Sequence, residues 1–190
     1  MSINFAASWC GSDLGGHRSP SGGYVRSSYD SLPPLDTRLF QGTFEWLGGS
    51  TGISARNAGE LRTLTEQLDR RGLSLPADFL AFYASENLPD ALEDNAPTSC
   101  WSSLSEPIPS PVEPGAFLVR FFRDQQDCVL WYLYLRPGSP AFVVHSHLEY
   151  GYEYEAHVSG GAFRGDSDID DREEQLAALQ YCAATFEEWA

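Results

Sequence analysis

Lysine is missing from all 190 residues, so the 12 cationic side chains are all arginine, set against 27 Asp and Glu for a formal net charge of −15. Nucleic-acid affinity comes largely from cations that neutralise phosphates, so this balance argues against a phosphate-backbone binder, and an acidic chain is repelled by anionic membranes as well. A basic protein partner suits it, because complementary fields speed encounter, although solubility alone also accounts for the charge. Cysteine is scarce: Cys10, Cys100, Cys128 and Cys182 are far apart and form no CxxC pair, which leaves buried free thiols as the plain reading. No apolar run reaches the roughly 18 residues of a membrane-spanning helix, and the N-terminus has no basic segment followed by a long apolar run, so a soluble cytoplasmic protein is expected.

Signature motifs of catalysis are also lacking. There is no GxSxG, HExxH, Walker loop or dinucleotide fingerprint, and Gly11, Gly15, Gly16, Gly22 and Gly23 follow no strand that would make them a phosphate cradle. No repeat of solenoid or propeller period occurs. Carboxylates abound, but a catalytic dyad needs two environments that split their pKa values. Composition therefore favours a binding protein over an enzyme, with no catalytic residue, cofactor or metal ion assigned.

What is present is organised around Phe117–Leu135, two runs of β-branched and aromatic residues joined by a polar segment, which predicts an antiparallel hairpin. Alternation puts Phe117, Val119 and Phe121 on one face and Leu118, Arg120 and Phe122 on the other. In the second strand Val129, Trp131, Leu133 and Leu135 alternate with Cys128, Leu130, Tyr132 and Tyr134, so both faces need cover. Residues 1–38 read as a flexible Ser/Gly-rich extension, with Phe5, Trp9 or Tyr24 docking on the body, and 39–190 as one domain. Leu39–Leu47 fits either a short strand or an aromatic anchor before the loop Gly48–Gly52.

Leu61, Leu64 and Leu68 mark an amphipathic helix over 57–71 that Gly72 stops. Pro76 at a first helical position and Asp78 at the positive dipole end begin a second helix, whose Phe79, Phe82 and Tyr83 read as core. Residues 88–115 read as a long connection with one short strand near Ser99–Trp101, and Ala141–Ser146 as a third strand extending a meander. Glu149–Glu155 is a strand or an exposed strip, with Tyr150, Tyr152 and Tyr154 on one side and Glu149, Glu153 and Glu155 on the other. A Gly- and Asp-rich loop over 159–168 leads to a closing helix, roughly Asp171–Trp189, carrying Leu176, Leu179, Cys182, Phe186 and Trp189.

Two constellations imitate metal sites. His145 and His147 share one face of a strand, with His157, Glu149 or Cys128 as distant third ligands, but such pairs are more often structural. Asp166–Asp170 opens like a calcium loop, then fails where Asp171 replaces the required glycine and Ala177 the bidentate Glu; dipole stabilisation of the next helix accounts for the acids.

A leucine-rich helix, then Leu75-Pro76-Ala77-Asp78-Phe79 with Phe82 one turn on, then an apolar strand, an Asp-rich turn at Asp124, a strand bearing Trp131 and a terminal Phe186-Glu187-Glu188-Trp189 resembles the SMI1/KNR4, or SUKH, superfamily. The resemblance spans roughly residues 57–190. It implies an α+β fold with helices packed mainly on one face of a central antiparallel sheet, and no catalysis. Bacterial members commonly look like immunity proteins that neutralise a toxin, often a nuclease, of a polymorphic or contact-dependent system; fungal relatives act as regulatory interaction proteins. The resemblance carries no fixed set of binding residues. Tight interfaces place aromatic anchors inside a charged rim, so the expected partner surface is Tyr150, Tyr152 and Tyr154 with Glu149, Glu153 and Glu155, helped by Asp124, Gln125 and Asp127 at the hairpin tip. The leading expectation is an immunity-type inhibitor of a basic toxin. The alternative is a regulatory or small-molecule-binding adaptor with a deep cavity beside Trp131 and Tyr134, and a hydrolase built on His145 and His147 is the least supported.

Overall fold

The computed structural model describes residues 3–10, 36–96, 100–151 and 172–190. Tyr24, Tyr152, Glu153, Tyr154, Glu155, His157 and the Asp-rich stretch 166–171 lie outside the described residues.

The alternating stretch forms the expected hairpin, β4 (Phe117–Asp124) against β5 (Leu130–Leu135), and all of β5 is buried. β6 (Phe142–Ser146) continues the antiparallel pairing, followed by β7 (Gln180–Ala183). β1 (Ala6–Ala7) adds to β7 in parallel, whereas β2 (Cys100–Ser102) and β3 (Ile108–Pro109) share the far side of β4. The spatial order is β1-β7-β6-β5-β4-β2, a mostly antiparallel sheet that exceeds a simple meander. At its β2 edge the Ser102 N–H donates to Glu93 Oε1 at 2.8 Å.

The fold class is α+β. Helix α1 (Ala55–Asp69) starts where Ser54 caps the Asn57 N–H. It ends in a Schellman turn: Gly72 takes φ 69°, its N–H reaches the Asp69 carbonyl, and the Leu73 N–H reaches Leu68. Helix α2 (Ala77–Ala84) begins one residue later than Pro76 suggested; the proline is the extended N-cap, and its carbonyl accepts the Leu80 N–H. The stretch expected to be only a connection contains α3 (Leu88–Asp94), with proline near its N-terminus. The single closing helix resolves instead into α4 (Arg172–Ala178), strand β7 and α5 (Phe186–Trp189).

Two apolar layers sandwich the sheet. On one face Val119, Phe121, Trp131 and Leu133 meet Leu61, Leu64 and Leu68 of α1, Phe79, Phe82 and Tyr83 of α2, and Phe186 and Trp189 of α5. On the other, Leu118, Leu130, Tyr132 and Tyr134 meet Phe5, Val112 and Leu179, with partly buried Leu176 of α4. Phe122 joins the first face rather than the second, because a bulge between Arg120 and Phe122 inserts Phe121 as an extra residue and reverses the alternation after it. The Phe121 carbonyl accepts the Tyr83 hydroxyl at 2.8 Å and the Ser103 N–H at 2.9 Å.

Residues 3–10 of the N-terminal extension pack on the folded body. Phe5 and Cys10 are buried and Trp9 packs on the first layer. The Cys10 carbonyl accepts the indole N–H of Trp131 at 2.6 Å and of Trp189 at 3.3 Å, and the Cys182 thiol at 3.2 Å. The rest of the proposed extension, up to residue 35, lies outside the described residues. Among the described residues no helix is long and apolar enough to cross a membrane.

Phe186 is the hub of the first layer, with ring centroids 5.0 Å from Phe79 and Phe82 and 5.2 Å from Phe121. Phe186→Ala is expected to cost about 3–5 kcal/mol through the cavity it leaves, read as a lower urea midpoint at unchanged slope.

Candidate functional site

The hairpin tip is built by its own acids. The backbone turns between Asp124 and Val129, with the Asp127 N–H on the Asp124 carbonyl and Asp127 itself at φ 55°, a left-handed conformation Asp tolerates better than most residues. Asp124, expected at the partner surface, is 0 % exposed. Its Oδ1 accepts the Val129 N–H at 2.9 Å and its Oδ2 the Gln126 N–H at 3.2 Å, so it caps the turn from inside and offers no surface to a partner. Gln125 and Asp127 remain at the outside of the turn.

The bulge at Phe121 then decides what surrounds them. Arg120 and Arg123, three apart, would point to opposite faces of a regular strand; the extra residue turns both to the side of Tyr132 and Leu130, their cross-strand partners. Glu149 meets both, pairing closely with Arg120 and lying 3.6 Å from Arg123. Arg123 is bidentate on Asp127, by Nε at 2.5 Å and by a close Nη2 contact, and its guanidinium stands over the Trp101 ring at 5.8 Å. Arg120 also donates to the Ser103 carbonyl and hydroxyl. Glu149 and Asp127, distant in sequence, are thus joined through one cation on the half-exposed Trp101.

Tyr150 does not stand beside Glu149 as a surface anchor. It is buried in the second layer: its N–H donates to Tyr132 Oη at 3.2 Å, its hydroxyl accepts from Ser146 Oγ at 3.3 Å, and its ring meets Tyr132 edge-on at 5.6 Å. Tyr132 Oη in turn donates to the Leu148 carbonyl at 3.0 Å, so a core tyrosine sets the course of 148–150. Burial pushes the hydroxyl pKa of Tyr150 up to about 12, and that of Tyr134 likewise to about 12, with the neighbouring Glu113 adding to the latter.

Chemical reactivity is subdued here. The guanidinium of Arg123 is held above its ordinary value chiefly by its hydrogen bond to Asp127. The Cys128 thiol at the same turn is also raised, by desolvation first and then by Asp124 and Asp127, which keeps it protonated and poorly nucleophilic. His145 is buried against β1, its Nε2 lying 2.9 Å from Ser8 Oγ and 3.2 Å from the Ser8 carbonyl, whereas His147 is exposed beyond the end of β6. Among the described residues no group of three His, Cys, Asp or Glu could hold a metal ion.

Trp101, Arg120 and Arg123 are site residues that the sequence reading passed over. A signal existed: a charged side chain within an otherwise apolar strand needs a carboxylate partner nearby. No protein-family model matches the chain, and neither the curated proteins nor the solved structures contain a match.

Two outcomes check this geometry. Asp124→Ala orphans two backbone donors and is expected to cost about 1–3 kcal/mol, while Gln125→Ala stays within about 0.5 kcal/mol, both by urea unfolding. Alkaline titration gives the second. Above the ordinary tyrosine value near 10 the unfolded chain releases protons that folded Tyr134 and Tyr150 retain up to about 12, so stability is full below that range and falls through it. Phenolate absorbance of these tyrosines is expected to rise together with loss of the folded circular-dichroism signal, not before it.

Proposed function

We propose that this chain is a non-catalytic protein-binding domain, an immunity protein that neutralises a cognate bacterial toxin of a polymorphic or contact-dependent system by direct binding. A cationic nuclease is the toxin class that best suits an inhibitor of net charge −15. The SUKH resemblance stays the source of the biological assignment; the physical support is separate.

The observation that carries the reading is the close packing of the described core. Trp131 and Tyr134, beside which an adaptor's cavity was expected, are fully buried among packed side chains. A groove of about 220 Å³ does open between Gly72–Ser74 on one side and Leu135, Arg136 and Gly138–Ala141 on the other. It is smaller than the roughly 300–1,000 Å³ usual for small-molecule sites. This favours recognition on an outer surface over a regulatory, small-molecule-binding adaptor. Glu149, Asp127 and Gln125 supply polar rim at the hairpin tip, with Trp101 as the nearest exposed aromatic. Asp124 and Tyr150 act as supports beneath that rim rather than as contacts.

Affinity-tagged full-length chain, incubated with lysate of its source organism, is expected to retain a basic protein at low salt. The affinity of the purified pair is expected to drop about tenfold or more between ~0.01 M and ~0.15 M salt, as the Debye length shortens. Retention of no protein at low salt overturns the proposal; salt-independent binding removes its electrostatic half.

A further inference from the structure

The hairpin tip neutralises its own charges around Trp101, and of the other exposed large apolar side chains among the described residues, Leu39, Trp46 and Ile53, the last two, 38 % and 73 % exposed, lie seven residues apart on one segment. Both stand on a segment tied to the body by backbone and side-chain hydrogen bonds. Phe44 adopts φ 53°, a left-handed conformation rare for a bulky residue and of the kind that collects at functional sites. Its ring is locked against Phe82 and Phe186, and the buried Glu187 carboxylate accepts the N–H groups of Gly42 and Phe44. Gly48 and Gly49, at φ 99° and 69°, let the chain double back so that the Gly49 N–H reaches the Phe44 carbonyl. Trp46 is left on the outside of this coil.

Asn87 fastens the next stretch. Its Nδ2 donates to the Gly49 carbonyl at 2.9 Å, and its Oδ1 accepts from Thr51 N at 2.8 Å and from the hydroxyls of Thr51 and Ser85 at 2.9 Å each. Glu86 N–H binds the Gly52 carbonyl, Ser54 N–H binds Ala84, and Ile53 bridges to Ser85. A Cβ at Gly52 would meet Glu86 Oε2 at 2.8 Å, the far end of an exposed side chain that can swing aside. Ile53 is therefore displayed on a fixed backbone at the α2–α3 corner, and the Trp46 turn docks on the same corner through Gly49 and Asn87. Glu45, Glu86 and Asp90 are exposed around it, and the neighbouring cation Arg56 is paired with Glu60.

The geometry points to the Trp46–Ile53 segment as a docking surface for a basic protein partner, one that presents an aliphatic or aromatic side chain flanked by arginine or lysine. Pre-ordered apolar anchors within a charged rim lose little entropy on binding, which is the physics of an interface hot spot. The acidic rim selects the partner's sign. A second copy of this chain would bring Glu45, Glu86 and Asp90 against themselves, which like-charge repulsion opposes. The inference rests on the protein-binding reading and gives it an anchor surface.

The test is a nuclear magnetic resonance titration of labelled full-length chain at low salt with a short synthetic peptide of alternating leucine and arginine, and with one of alternating leucine and glutamate. Saturable shifts at the Trp46 indole and the Ile53 methyls are expected with the arginine peptide and none with the glutamate peptide. Ile53→Glu, at a site already solvated, is expected to keep the folded spectrum and weaken binding at least about tenfold; Trp46→Ala gives an independent variant with the same expected loss. Saturable shifts centred on Trp101 and Glu149 that Ile53→Glu leaves intact overturn this surface while sparing the protein-binding reading. Absence of saturable shifts overturns it too, as does a concentration-dependent dimer in sedimentation that Ile53→Glu abolishes. Failure of the broader reading shows separately, as no retained protein in the low-salt co-purification.

Discussion

The Cys10 carbonyl takes hydrogen bonds from β5, β7 and α5 at once, through Trp131, Cys182 and Trp189. Two indoles in an apolar core each bring one N–H that needs an acceptor, and leaving either unmade forfeits the desolvation cost of that group. A single peptide group from the N-terminal segment meets both demands. The two-residue pairing of β1 with β7 is too short to hold by itself, so the strand and the indoles stabilise one another. Arg136 fastens the same segment on the opposite face, standing over the rings of Phe5, Tyr134 and Phe142 while its Nε binds Glu113.

With the sheet fixed in this way, two local departures from regular backbone arrange the surface. The extra residue at Phe121 turns Arg120 and Arg123 to one side and so collects Glu149 and Asp127 into a mutually neutralised group. The left-handed Phe44 does the opposite at the other apolar layer, burying its ring and leaving Trp46 outside. One departure consumes charge, the other displays apolar surface. Both depend on the first layer, since Phe121 and Phe44 each pack against Phe186.

The hairpin, α1, α2 and β6 are legible in the sequence because their signals are local: alternation, three-and-four spacing, and the stop at Gly72. The closing segment misleads because Leu176, Leu179, Cys182, Phe186 and Trp189 keep helical spacing although they serve two different layers, Leu179 one and Cys182, Phe186 and Trp189 the other. The break was readable in Thr185, whose Oγ1 accepts the Glu188 N–H, a Thr-x-x-Glu start signal. Pro89 marked α3 in the same manner. The bulge had no such mark, as no glycine accompanies it, and β1 has only two alanines. Of the site, Gln125, Asp127 and Glu149 are polar residues that stay outside the core, as their type suggests; the inward turn of Asp124 and Tyr150 depends on a turn's hydrogen bonds and on Tyr132, which residue type does not specify.

Glu93, on α3, also shapes the edge of the sheet. By accepting the Ser102 N–H it occupies a donor that the outermost strand would otherwise leave open at that edge. A sheet rich in aromatic and β-branched residues is a ready template for its own extension, and a carboxylate laid on its rim ends the template there. The chain thereby carries a local block to strand addition at that edge.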